Sequence, residues 1–200
     1  GDVADVVAVA SPPLRDIVGE MLRASDNTTA EMLVREMAVK TGRPGSTPAG
    51  VEAVVRALNE RGIPMNGLNL LDGSGLSRDN KLTCNALLKA VELGREPGSG
   101  ELASLLAVAG QSGTLAARFQ GTALDGKLRA KTGNLAGVTA LSGLVETYRP
   151  LPFSFVADGE FAEGAGAQLQ GQVAAAIGRF PAAPPPAQLV PAVQPPCTQP

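Results

Sequence analysis

The sequence predicts an α+β fold, with helices first and an antiparallel meander after them. Two observations carry this. Before Gly110 the apolar residues recur at helical spacing between polar breaks; beyond it they gather into three short runs with strand character. Hydrophobic residues make up 44% of 200 and charged residues 18%, so most of the chain can bury a core, and the length suits one domain. Aromatics are only 3% and tryptophan is absent, so Ala, Val and Leu must build that core.

The elements follow in order. Asp5-Val-Val-Ala-Val-Ala10 reads as a buried strand running into a helix. Pro12-Pro13 stand where a helix N-terminus tolerates proline, with Ser11 as N-cap. Leu14, Ile17, Val18, Met21 and Leu22 then keep a 3.6-residue period, which predicts an amphipathic helix ending near Ala24. Ser25-Asp-Asn-Thr-Thr29 breaks that pattern, and a second helix follows with Met32, Leu33, Met37 and Ala38 inward; Met21, Met32 and Met37 read as core. Thr47-Pro48 predicts an N-cap and first helical residue, Val51, Val54, Val55 and Leu58 the buried stripe, and Arg61-Gly62 the glycine close. Residues 66–78, rich in Gly, Asn, Asp and Ser, form a loop. Thr83 opens a helix through Leu87, Leu88 and Val91 to Gly94, and a short helix is expected over Leu102 to Val108. Lys127–Thr132, Val138–Glu146 and Leu151–Ala157 read as strands, and Ala167–Ile177 as a last helix packed on their sheet. Pro181 to Pro200 holds eight prolines in twenty residues, which favours extended, disordered chain outside a domain of residues 1–180.

Bulk properties exclude several classes. A net charge of -2 supplies no broad basic field, so no nucleic-acid partner is expected. The longest apolar runs are far too short to span a bilayer. The chain starts at Gly1 with no charged n-region or apolar h-region, and its opening reads as internal to a domain. Cys84 and Cys197 cannot form a four-thiolate zinc site; they could pair only in an oxidising compartment.

Histidine is absent, which removes Ser-His-Asp, Cys-His and His-metal chemistry from these residues. Serine chemistry without histidine needs another base, usually lysine. Ser25-Asp26-Asn27 and Lys131-Thr132-Gly133 match the S-x-N and K-T-G motifs of penicillin-recognising serine enzymes. The third motif, S-x-x-K, is absent, because no serine has lysine three positions on. Taken alone, Ser25-Asp26-Asn27 reads first as a helix cap, since Ser, Asp and Asn all cap well. Lys-Thr-Gly also occurs at Lys40-Thr41-Gly42, where lysine and glycine closing a helix suffice as explanation. The second copy follows a strand pattern and can present an ammonium and a hydroxyl to an anion. Asp72-Gly-Ser-Gly-Leu-Ser-Arg78 is either a tight turn or a rigid loop lining the cleft. Tyr148, beside Arg149-Pro150, reads as a strand-end residue rather than a base.

Ala10-Ser-Pro-Pro-Leu14, Ser25-Asp-Asn-Thr-Thr-Ala-Glu31, Asp72–Arg78, Val108-Ala-Gly-Gln-Ser-Gly-Thr-Leu115 and Ala130-Lys-Thr-Gly-Asn134 appear in that order. Together they resemble the C-terminal part of the D-alanyl-D-alanine carboxypeptidase/endopeptidase family, the class C low-molecular-mass penicillin-binding proteins (peptidase family S13), over about residues 3 to 180. The resemblance implies a serine β-lactamase/DD-peptidase-like domain, an antiparallel sheet flanked by helices, with S-x-x-K upstream of this chain. It implies a serine peptidase of peptidoglycan stem peptides that binds β-lactam antibiotics, works outside the cytoplasm and needs no cofactor. Ser25 and Lys131 would pass a proton to the leaving amine. Asn27 would bond the substrate backbone, and Thr132 with Lys131 its carboxylate. The Asn134 N–H would be the second oxyanion donor, beside Gly133, with Asp72 on the cleft loop. Asn134 departs from the serine usual there. A β-lactamase or esterase on the same scaffold, or a non-catalytic envelope module binding stem peptide, are the alternatives.

Overall fold

The computed structural model describes residues 9–96, 101–160, 162 and 164–182. The proline-rich tail beyond residue 182, with Cys197, lies outside them. So does most of the expected leading strand; its residues 9 and 10 are exposed and outside any strand.

Helix α1 spans Leu14–Ala24 and starts directly after Pro13, with no side-chain cap, so Ser11 does not cap it. Helix α2 spans Asn27–Lys40 and α3 spans Thr47–Glu60. Ser46 rather than Thr47 caps α3, accepting from the Ala49 N–H, and Gly62 leaves it at φ +72. The two helices cross at Gly50, where a Cβ would lie 2.0 Å from the Val34 carbonyl oxygen. That close crossing fixes the rotation of α2. Val34 and Ala38 turn inward, while Met32, 49% exposed, and Met37 turn outward, against the expectation that both are core. Helix α4, Cys84–Leu93, is capped by the Thr83 hydroxyl and packs against β3 and β4.

The sheet is a four-stranded antiparallel meander of β1 (Ala107–Val108), β2 (Leu128–Leu135), β3 (Val138–Glu146) and β4 (Pro150–Asp158), in that order. The helix expected over Leu102 to Val108 is instead one 3₁₀ turn, Leu102–Leu105, followed by β1. A short apolar run has no periodicity to separate helix from strand. Here the open edge of β2 decides, since Ala107 pairs with Ala130 and Val108 with Arg129. Beyond Ala130 no strand among the described residues covers that edge.

Alternation along β2 turns Leu128 and Ala130 to one face and Lys131 to the other. Helix α5, Ala165–Gly178, packs on the first face. Leu115, Leu124, Leu128, Ala130, Leu141, Val145, Phe153 and Ala174 form the core there. As the composition required, most of that core is Ala, Val and Leu.

Candidate active site

The junction of α1 and α2 builds half of the site. Ser25 ends α1 in the left-handed region (φ 57, ψ 47), a conformation that costs a non-glycine residue about 1–2 kcal/mol. The next residue restarts the chain. Asp26 accepts from the Thr28 N–H at 2.9 Å, the Thr29 N–H at 3.3 Å and the Thr29 hydroxyl at 2.7 Å, which caps α2. These bonds hold its carboxyl below the usual value, the Thr29 hydroxyl most of all. The cap and the places beside the groove therefore fall to different residues. Asp26 restarts the helix, while Ser25 and the exposed Asn27 on either side of it line a groove.

Strand β2 builds the other half. Lys131 Nζ donates to Ser25 Oγ at 2.5 Å and to the Thr132 carbonyl at 2.7 Å. Burial pushes its pKa below the ordinary lysine value. The ion pairs among the described residues, Arg15–Glu101, Arg43–Glu52 and Lys89–Glu92, all lie elsewhere. Lys131 is thus a partly desolvated cation with no carboxylate partner among the described residues, a ready binder for an anionic ligand.

Thr132 takes the core face, is 8% exposed and donates to the Thr114 hydroxyl at 3.0 Å. Thr114 sits in the 3₁₀ turn Gly113–Leu115, which touches α1: a Cβ on Gly113 would lie 2.3 Å from the Arg23 carbonyl oxygen. The turn therefore ties the K-T-G strand to the helix end that carries Ser25. Asn134 has its Oδ1 bonded by the Thr139 hydroxyl and by Gln170 Nε2, both at 3.2 Å. Its backbone faces the open edge. The Ala109 N–H donates to the Leu128 carbonyl, so Leu128 looks away from β3. Antiparallel pairing then turns the N–H groups of Ala130, Thr132 and Asn134 the same way.

The groove, about 290 Å³, is lined by Ser25, Asn27, Gly73, Ser74 and Lys131 with Met21, Leu33 and Met37 beside them. Of the sequence-level candidates, Ser25, Asn27 and Lys131 meet in it, and Thr132, Gly133 and Asn134 continue along the same strand. Asp72 does not line it. Its carboxylate accepts from the N–H groups of Gly75 and Ser77 and from Asn80 Nδ2, at 2.8, 2.6 and 2.9 Å, which shapes the loop from within. Its neighbours Gly73 and Ser74 reach the groove because Glu31 holds them. Glu31 Oε1 accepts both of their N–H groups at 2.9 Å, and Thr47 donates to Oε2 at 3.3 Å. Burial pushes the Glu31 carboxyl up, but the bonds from Ser74, Gly73 and Thr47 outweigh it and hold the pKa below the usual value. A side chain at Gly73 would collide with Val34 and the Ala30 carbonyl, so only glycine allows this approach.

The first Lys-Thr-Gly plays no part. Thr41 closes α2 with its hydroxyl on the Ala38 carbonyl, and Gly42 follows at φ +76. Tyr148 is exposed between β3 and β4 and stacks on Phe180 at 5.8 Å, far from any base role.

An S-x-N turn between two helices faces K-T-G on a strand of an antiparallel sheet, and both motifs recur in penicillin-recognising serine enzymes. The chain belongs to the D-Ala-D-Ala carboxypeptidase 3 (S13) family, which it matches over residues 2–179. It is 40% identical over 162 residues to carboxypeptidase DacB of Mycolicibacterium smegmatis, covering 76% of this chain and 35% of that protein. It is also 40% identical over 156 residues to the D-alanyl-D-alanine carboxypeptidase of an Actinomadura species, covering 74% of this chain and 29% of that one. Among solved structures, penicillin binding protein 4 (dacB) from Haemophilus influenzae, complexed with a β-lactam, superposes with a TM-score of 0.71. That match is 28% identical and covers 80% of this chain and 41% of the other. The chain thus spans about a third of the length of the curated relatives. Among the described residues no helix is long and apolar enough to cross a membrane.

Proposed function

We propose that residues 1–180 are the C-terminal part of a serine DD-peptidase domain that hydrolyses D-Ala-D-Ala, or D-Ala–diamino acid, bonds in peptidoglycan stem peptides and is acylated by β-lactams. One observation carries this above the rest: Lys131 and Ser25, 106 residues apart, meet at 2.5 Å beside Asn27. The relatives' names as D-Ala-D-Ala carboxypeptidases and the β-lactam complex of the H. influenzae protein support the same reading. Stem peptides lie outside the cytoplasmic membrane, so the protein acts in the periplasm, the envelope or beyond.

The chemistry follows from the groups present. Another part of the same protein supplies the S-x-x-K serine and its base lysine. That lysine must be neutral to take the serine proton, and the unpaired Lys131 ammonium nearby depresses its pKa. Lys131 also orients the Ser25 hydroxyl, through which a proton reaches the amine expelled from the cleaved bond. Asn27 bonds the substrate backbone. Lys131 and the Thr132–Thr114 hydroxyl pair receive the terminal carboxylate, and the Asn134 N–H takes charge developing on the acyl oxygen.

Treating the intact protein with a fluorescent penicillin tests this. Covalent labelling of the intact protein at the S-x-x-K serine is expected, together with release of D-Ala from a D-Ala-D-Ala peptide. The isolated 200 residues should stay unlabelled. Labelling of the isolated chain, or an intact protein that neither labels nor releases D-Ala, would overturn the reading.

A further inference from the structure

Among the described residues the chemistry above leaves two fully buried polar side chains unused, Thr139 and Gln170. Gln170 lies on α5, amid Ala, Gly and Val, and is 0% exposed. A buried amide is tolerated only when bonded, and this one is bonded at both ends. Its Oε1 accepts from Arg118 Nη1 at 2.7 Å. Arginine has donors only, so this contact fixes which way the amide faces and turns Nε2 toward the sheet. There Nε2 lies 2.6 Å from the Thr139 hydroxyl, 3.2 Å from Asn134 Oδ1 and 3.3 Å from the Gly133 carbonyl oxygen. Arg118 is itself held, with Nη2 on the Ala167 carbonyl and its own carbonyl accepting the Gly110 N–H.

The Gly133 carbonyl and the Asn134 N–H are two ends of one planar trans peptide and point in opposite directions. Whatever holds the carbonyl aims the N–H. On a strand with neighbours on both sides the ladder would do this. Here β1 stops at Ala130, so β3 alone grips the peptide between 133 and 134, a short distance from the Ala136-Gly137 turn. Gln170 supplies the missing constraint from behind, at the second lone pair of the Gly133 carbonyl and at the Asn134 side chain.

We propose that Gln170, oriented by Arg118, is a positioning residue that aims the Asn134 N–H at the acyl oxygen, a role that rests on the DD-peptidase reading. It touches no substrate. Its effect falls on the acylation step, where negative charge forms on that oxygen, and hardly on ground-state binding.

The test uses the intact protein with Gln170→Glu and Gln170→Met. The first keeps the side chain's size and its acceptor toward Arg118 but replaces the donor facing Gly133 with an oxygen. The second removes donor and acceptor together. Stopped-flow acylation by penicillin separates the non-covalent dissociation constant from the acylation rate constant, and infrared spectroscopy reads the acyl-enzyme carbonyl. Both variants should lose about 10- to 100-fold in the rate constant, less than the roughly 10²- to 10³-fold for losing a donor outright. The dissociation constant should stay within about threefold, since the Asn134 N–H bond to that oxygen strengthens only as the acyl bond forms and contributes little to the non-covalent complex. The carbonyl stretch should move to higher wavenumber as its hydrogen bond weakens. An unshifted stretch with a rate constant within about twofold of wild type, or equal proportional losses in both constants, overturns the proposal. Where one variant fails to fold, the other decides. A wild-type protein that forms no acyl-enzyme overturns the peptidase reading and this inference with it, whereas a reactive wild type with unaffected variants overturns the inference alone.

Discussion

Lys131→Ala in the intact protein is expected to lower penicillin acylation by about 10²-fold or more, since it removes a charged hydrogen bond worth about 1.5–3 kcal/mol and the partner of a proton relay. The ammonium touches Ser25 at 2.5 Å and pairs with no carboxylate among the described residues, so both of its proposed roles, orienting the hydroxyl and binding an anion, disappear together. Folding should suffer little, because alanine relieves the desolvation of a partly buried charge that no described carboxylate pairs. Lys131→Arg should rescue only in part, since a planar fork cannot sit where a point charge contacts both a hydroxyl and a carbonyl. The wild-type pH profile carries the same signature. The cation is the working form and its pKa is depressed by burial, so the alkaline limb of kcat/KM falls below the ordinary lysine value of about 10.4. Acylation by the alanine variant at near wild-type rate would remove Lys131 from the mechanism.

Gly113→Ala is expected to destabilise the intact protein by roughly 2–5 kcal/mol, combining left-handed strain of about 1–2 with overpacking of about 1–3. The added methyl would stand 2.3 Å from the Arg23 carbonyl oxygen, which is backbone and cannot swing aside. Relief requires the turn to withdraw from α1, which separates Thr114 and the K-T-G strand from Ser25, so acylation should fall along with the melting temperature. Gly121→Ala is the control. Gly121 has a similar φ of +67, but a methyl there would meet nothing within 4 Å, so only the strain of about 1–2 kcal/mol applies and acylation persists. Equal melting losses in the two variants would show that the Gly113–Arg23 contact does not couple the two halves of the site.

The helices were legible because each carries its own signal within a few residues. Thr83 caps α4, Gly62 ends α3, and the period of Leu14, Ile17, Val18 and Met21 defines α1. The face that α2 buries was not legible, because Gly50 on another helix sets its rotation. Strand β1 failed for a related reason: two residues become a strand only because β2 offers them an edge. Within the site, Ser25, Asn27 and Lys131 could be read from short motifs, yet the residues that hold those motifs in place could not. Glu31 grips Gly73 and Ser74 from 42 and 43 residues away, Thr114 meets Thr132 across 18, and Gln170 reaches Gly133 across 37. No periodicity or cap signal announces such contacts; Glu31 and Thr114 sat inside matched segments without a role, and nothing singled out Gln170 on its Ala-rich helix.

The most direct measurement is a crystal structure of the intact protein acylated by penicillin. The ligand carboxylate is expected against Lys131 and the Thr132–Thr114 hydroxyls, its side-chain amide against Asn27, and its acyl oxygen on the Asn134 N–H. An acyl group whose carboxylate lies away from Lys131 while Asn27 stays out of contact would contradict the account.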